Sequence, residues 1–166
     1  MHPLICAGAF VLLGSFGSAY AQGADVASTL AAHRIAVHSD GKEAREPATS
    51  AKPGDVIEYA ADYRNKGAAA ASKLEVTIPI PAGTDYVAGS SRPAAGFAST
   101  DGVRFEAMPL KHRVSRADGT LVEQLVPVEQ YRALRWAPQE LGAGANATYS
   151  VRTRMVSNGA LVAAAK

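Results

Sequence analysis

The chain has 166 residues, with 17 Lys and Arg against 15 Asp and Glu and a formal net charge of +2. The charges are interspersed, and Arg152 with Arg154 is the nearest thing to a cluster. A nucleic-acid partner, which needs a basic stripe, is therefore not expected.

Met1 to Phe16 carries no Lys, Arg, Asp or Glu, and residues 4–16 form a mostly apolar run. Such a run is well short of the ~20 residues that span a bilayer. It is followed by Ala19-Tyr20-Ala21, whose small first and third residues suit signal-peptidase cleavage before Gln22. Residues 1–21 are thus expected to be a signal peptide, and the product to be periplasmic or extracellular. The one departure is an n-region that offers only His2 where Lys or Arg is usual. Cys6, the single cysteine, lies at the start of the apolar run, the wrong end for lipid attachment. Cleavage removes it, leaving no disulfide, thiolate metal site or thiol nucleophile. No later apolar stretch is long enough to span a membrane. A cysteine-free domain must be held by its core, and a chain of this size buries roughly two thirds of its unfolded surface.

Residues 22–32 are small and polar without a period and read as a flexible lead-in. Residues 34–38 alternate polar and apolar and predict a first strand, broken by Asp40-Gly41; residues 42–52 read as a charged loop. Pro53-Gly54-Asp55 is a turn, with Pro fixing φ and Gly tolerating a positive φ. Residues 56–64 predict the clearest strand. Ile57, Tyr59, Ala61 and Tyr63 fall on one face; Glu58, Asp62 and Arg64 fall on the other, which reads as solvated. Asn65-Lys66-Gly67 ends it, and Ala68 to Ala71 is too short for a helix and reads as a loop.

Residues 74–78 predict another strand, stopped by Pro79 and by Pro81-Ala82-Gly83, and a short one follows around Tyr86 and Val87. Asp101-Gly102 and Asp118-Gly119 each predict a two-residue hairpin, the second joining residues 111–116 to 121–126. Residues 132–136 predict a strand with Leu134 and Trp136 on one face. Leu141-Gly142-Ala143-Gly144 then turns the chain into a last strand from Thr148 to Val156. The total is seven to nine short antiparallel strands with no amphipathic helix, spaced as in a sandwich or barrel.

Reactive constellations are sparse. No G-x-S-x-G is present, and His33, His38 and His112 have no chelating spacing: the first two fall on opposite strand faces. Glu58 and Asp62 share a face but lie about 13 Å apart on an extended strand. Gly142 and Gly144 precede a strand, so no helix N-terminus is there to hold a phosphate. Asn146-Ala147-Thr148 is a formal glycosylation sequon. Tyr59, Tyr63, Trp136 and Tyr149 are expected in the core, which leaves Tyr131 beside Arg132 as the one candidate sugar-stacking platform. No cofactor and no metal are expected, and no catalytic activity.

Three segments in order carry a resemblance. Pro53-Gly54-Asp55 with Tyr59, ending at Asn65 and Gly67, is the first; Leu74 to Gly83, ending in Ile78-Pro79-Ile80-Pro81-Ala82-Gly83, is the second. The third runs from Tyr131 to Trp136 and on through Leu141 and Gly144. Together they resemble a bacterial and archaeal surface-repeat domain, domain of unknown function family eleven, over roughly residues 33–156. The resemblance implies an all-β, immunoglobulin-like antiparallel β-sandwich of exported envelope or surface proteins, with no catalytic residues to carry over. The chain departs from the family in having Pro79 where an acidic residue is common, and in being a single copy with a hairpin inserted at residues 111–126.

The expected organisation is a signal peptide at 1–21, a lead-in at 22–32, the sandwich at 33–157 and a tail at 158–166. Its expected role is a non-enzymatic module contacting other envelope or surface proteins, with a ligand-binding module for carbohydrate or a small molecule as the alternative. Mass spectrometry of the exported protein is expected to find Gln22 as the first residue; an intact Met1 would overturn the signal-peptide reading.

Overall fold

The computed structural model describes residues 24–156. Ala19, Ala21, Gln22 and the tail at 158–166 lie outside them. Thirteen strands follow one another: β1 (Val26–Val37), β2 (Glu43–Pro47), β3 (Val56–Asn65), β4 (Ala71–Leu74), β5 (Thr77–Pro79), β6 (Thr84–Tyr86) and β7 (Phe97–Ser99), then β8 (Glu106–Ala107), β9 (Lys111–Ser115), β10 (Leu121–Leu125), β11 (Ala133–Arg135), β12 (Gln139–Leu141) and β13 (Asn146–Met155). A 3-10 turn at Val128–Gln130 is the only helical piece among the described residues, and none is long and apolar enough to cross a membrane.

Every strand pairing is antiparallel. One sheet has the order β2-β1-β3-β13-β6 and another the order β5-β11-β7-β8; β10-β9 and β12-β4 form two-stranded pairs. The chain is all-β and sandwich-like. The period-two pattern of β3 explains how the two larger sheets meet. Ala61 from β3 and Tyr149 and Val151 from β13 face Ile78, Ala98 and Leu134 from the second sheet. Trp136, Tyr131 and Val76 fill the space between. Fully burying side chains of this size stabilises by about 1.5–3 kcal/mol each. Trp136 stands edge-on to Tyr149 at 5.2 Å, and Tyr86 stacks on Tyr131 at 6.2 Å. The Trp136 indole N–H donates to the Pro93 carbonyl at 2.8 Å, so its one polar atom is satisfied.

Several expectations are corrected. The lead-in at 22–32 gives way to strand from Val26 onward, so the folded unit begins before residue 33. Small residues pair here because β3 supplies a complete ladder, Val26 opposite Asn65 through Ile35 opposite Val56. The charged loop at 42–52 contains β2, paired with residues 33–37 of β1. Its alternation is charged and small rather than charged and apolar, because the second sheet does not reach it. Ala71, read as loop, opens β4. The strand expected at 74–78 is split into β4 and β5, which pair with different partners. Lys73 in that region takes a left-handed φ of 61°. Such splits raise the count from the expected seven to nine.

Neither Asp-Gly pair makes a two-residue hairpin. Ser115 pairs with Leu121 across a longer loop, and β7 reaches β8 through residues 100–105. In that second loop Asp101 replaces the missing ladder. Its Oδ1 accepts from the Val103 N–H at 2.7 Å, the Arg104 N–H at 2.8 Å and the Ser99 hydroxyl at 2.8 Å. Those donors, the Arg104 N–H foremost, hold the carboxyl down from 3.8 to about 2. A lowered folded pKa stabilises above the unfolded value and is lost as pH falls through the folded one. Loop stabilisation from Asp101 is therefore expected to be complete above about pH 4 and gone near pH 2. A carboxyl titration by NMR and acid unfolding against Asp101→Asn check it: wild type should lose its advantage in that window.

Candidate interaction site

The motif residues converge on the two ends of β13. At its start lies Asn65, the last residue of β3, which is 0% exposed. Its side-chain amide donates to the carbonyls of Ala69 at 2.8 Å, Leu141 at 2.9 Å and Gly142 at 3.1 Å. Its Oδ1 accepts from the Gly67 N–H at 3.0 Å and the Asp25 N–H at 3.3 Å. The Asn65 backbone N–H donates to Ala145 at 3.0 Å. One side chain thus ties the entry of β1, the loop after β3 and the turn between β12 and β13. Leu141 is buried beside it, and Gly144 takes a φ of 70° in that turn.

At the far end, the Gly54 N–H donates to Met155 at 2.8 Å and the Met155 N–H to Asp55 at 2.9 Å. Gly54 has a φ of 92°, a conformation side chains resist, so the turn after Pro53 requires glycine. The Asp55 carboxylate caps the same turn by accepting from the Lys52 N–H at 2.8 Å. Gly83 accepts from the Val156 N–H at 3.0 Å, and Pro81 accepts from the Thr84 hydroxyl at 2.8 Å. Tyr59 lies half-buried between the two ends, packed against the core cluster. The motif is a clamp on both ends of β13, the neighbour of the central strand β3 in the first sheet.

The outer face of that sheet departs from the expected solvated surface. Glu58 is 3% exposed. Its Oε2 accepts from Arg152 Nε at 3.1 Å, and Arg45 lies 2.6 Å from Oε1, close enough to neutralise it yet off hydrogen-bonding alignment. Arg152 also grips Glu43 with both terminal nitrogens, at 2.9 and 2.7 Å. That two-pronged contact holds the Glu43 carboxyl below its ordinary range and raises Arg152. Alternation places Glu58 away from the core correctly, but long arginine stems then cover it. Removing both guanidiniums would strand a buried charge. His33, opposite Glu58 in register, has a buried Nδ1 with no partner.

Tyr131 corrects the sugar-platform expectation: it is 1% exposed, with its hydroxyl accepting from the Leu110 N–H at 3.0 Å. The histidines stay apart, and no group of three His, Cys, Asp or Glu converges among the described residues. Asn146 is exposed at the start of β13.

The β9–β10 hairpin forms where the sequence predicts it; what the pattern missed is that it stands apart as a ribbon. Its strands pair with each other and with no other described strand. Leu110 and Val126, joined by a backbone hydrogen bond of 2.9 Å, anchor its base. Beyond that base, Leu121 is 66% and Leu125 is 62% exposed. Register places them on one face with Glu123, across from Ser115, Arg113 and Lys111; Lys111 bridges Glu123 at 3.3 Å. The only sequence signal was two leucines spaced four apart in a hairpin that has no apolar partner segment.

No family model matches the chain, and neither the curated proteins nor the solved structures gave a match.

Asn65→Ala is expected to cost about 3–5 kcal/mol in urea unfolding, because several buried backbone groups lose their partner at once. Asn65→Asp turns a donor into a carboxylate facing carbonyl oxygens, which raises its folded pKa; its penalty should grow as pH rises above about 4. A flat penalty across pH would contradict the contact scheme.

Proposed function

We propose that this protein is an exported, non-catalytic envelope or surface module of immunoglobulin-like sandwich type, working through protein–protein contact. The observation that carries the reading is the β9–β10 ribbon, held off the body of the fold with Leu121 and Leu125 uncovered on one face. An isolated two-stranded ribbon is marginal in water, and exposed leucines on it add nothing to the stability of the chain alone. A partner surface would bury both and pair their basic and acidic neighbours. The export half of the reading rests on the apolar run and Ala19-Tyr20-Ala21. The immunoglobulin-like half rests on the ordered turn motifs that clamp β13.

Leu121→Lys with Leu125→Lys tests the ribbon. Exposed positions of this kind should change stability by no more than about 0.5 kcal/mol, while partner recovery from cross-linked envelope extract falls at least tenfold. Undiminished recovery by the variant, or no recovery above background by the wild type, would defeat the reading.

A further inference from the structure

β1 is paired along residues 26–35 on one side but only along residues 33–37 on the other, where β2 ends with Pro47 opposite His33. Among the described residues nothing pairs with the outer edge of residues 26–32. After Pro47 the chain turns back toward the Lys52–Asp55 contact, away from this edge. The direction of the backbone groups follows from the bonds at each end of β1. Asp25 faces β3, since its carbonyl accepts from the Lys66 N–H at 2.7 Å, and His38 faces the β2 side, donating to Lys42 at 2.9 Å. Antiparallel strands alternate, so Val26, Ser28, Leu30 and Ala32 aim their N–H and C=O groups out of the open edge.

This edge lacks the usual protections. Val26-Ala-Ser-Thr-Leu-Ala-Ala32 holds no charged residue and no proline. Its exposed large apolar side chain is Leu30, at 60%. Leu30 stands opposite Ala61, on the core side of the sheet, where no described strand covers it.

We propose that a second copy of this chain fills the edge, β1 against β1 about a two-fold axis at Ser28, joining two five-stranded sheets into one. The register follows from what blocks the others. An axis at Thr29 would bring Asp25, which is fixed to Lys66 and Asn65, into the slot beside His33 that Pro47 holds. An axis at Ser28 puts Ala24 opposite Ala32, short of Pro47, and uses every free group of Val26, Ser28, Leu30 and Ala32. It also pairs Leu30 of each copy with Val26 of the other, covering both exposed leucines, and sets no like charges opposite one another. An axis at Ala27 would set each Leu30 against Ala24, whose single methyl covers far less of it than Val26 does. An unlike strand would satisfy the backbone, but only self-pairing supplies both halves of the Leu30–Val26 contact from one sequence.

Ser28→Cys in a Cys6→Ser full-length chain tests the register. Directly opposed residues of a hydrogen-bonded pair lie about 5.5 Å apart at Cα, inside the range of about 4.4–6.8 Å that a disulfide spans. Mild oxidation should therefore yield a covalent dimer with Ser28→Cys and none with Ala32→Cys, an exposed position on the same face. Sedimentation velocity should show concentration-dependent dimerisation of the unmodified chain, weakened at least tenfold by Leu30→Lys. A monomer at every concentration, no cross-linked Ser28→Cys, equal cross-linking at the two sites, or an unaffected Leu30→Lys would each overturn the proposal; an unlike strand or another segment of the chain on this edge gives the first two. The Leu121→Lys/Leu125→Lys variant should dimerise normally, so failure of the ribbon contact and failure of the edge contact are told apart.

Discussion

The structure depends on one buried amide. Asn65 sits where β3 ends, where the chain upstream of β1 arrives and where the turn into β13 is made. Each of those segments brings backbone groups that no sheet ladder can satisfy, and burial without a partner costs about 1–3 kcal/mol per group. A single side chain with donors on one end and an acceptor on the other answers all of them. No disulfide is available for the purpose within the described residues, since Cys6 lies outside them. Asn65 fixes where β1, β3 and β13 start or stop, and the register of the first sheet follows.

From that register the two faces of the sheet acquire different characters. The core side is closed by aromatic contacts around Trp136 and Tyr149. The outer side is closed by charge: Glu43, Arg152, Glu58 and Arg45 run across β2, β13 and β3, passing over β1. A desolvated chain of this kind adds little net energy against an apolar replacement, yet breaking one member is costly. It therefore pins β2 to the sheet even though β2 has almost no apolar surface of its own.

Much of this architecture was legible in the sequence, for reasons that differ by residue. The alternation of Ile57, Tyr59, Ala61 and Tyr63 reads as one buried face because the second sheet covers only that side. Pro53-Gly54 and Pro81-Ala82-Gly83 read as turns because their backbone requirements are local. The first half of β1 was missed since Ala, Ser and Thr carry no pattern until β3 lies beside them. β2 was missed since its own residues alternate charged and small, with no apolar face to mark a strand. Glu58 was placed on the right face, but its burial depends on Arg45 and Arg152, which come from other strands. The role of Asn65 depends on Leu141, 76 residues away, and a residue read as a turn former proved to be a junction. The ribbon was seen as a hairpin; that its leucines stay uncovered is a fact about the rest of the fold.

The position of β13 in the sheet has a consequence for biogenesis. It is the last described strand in the chain, yet it lies between β3 and β6 rather than at an edge. Until Met155 has left the ribosome, β3 has an unfilled side, Asn65 has no Leu141–Ala145 turn to hold and β6 has nothing to pair with. Contacts of such long sequence separation form late and slowly. The nascent polypeptide must therefore stay open until β13 has been made, a state in which it can be threaded through a narrow pore or captured by a chaperone before it closes.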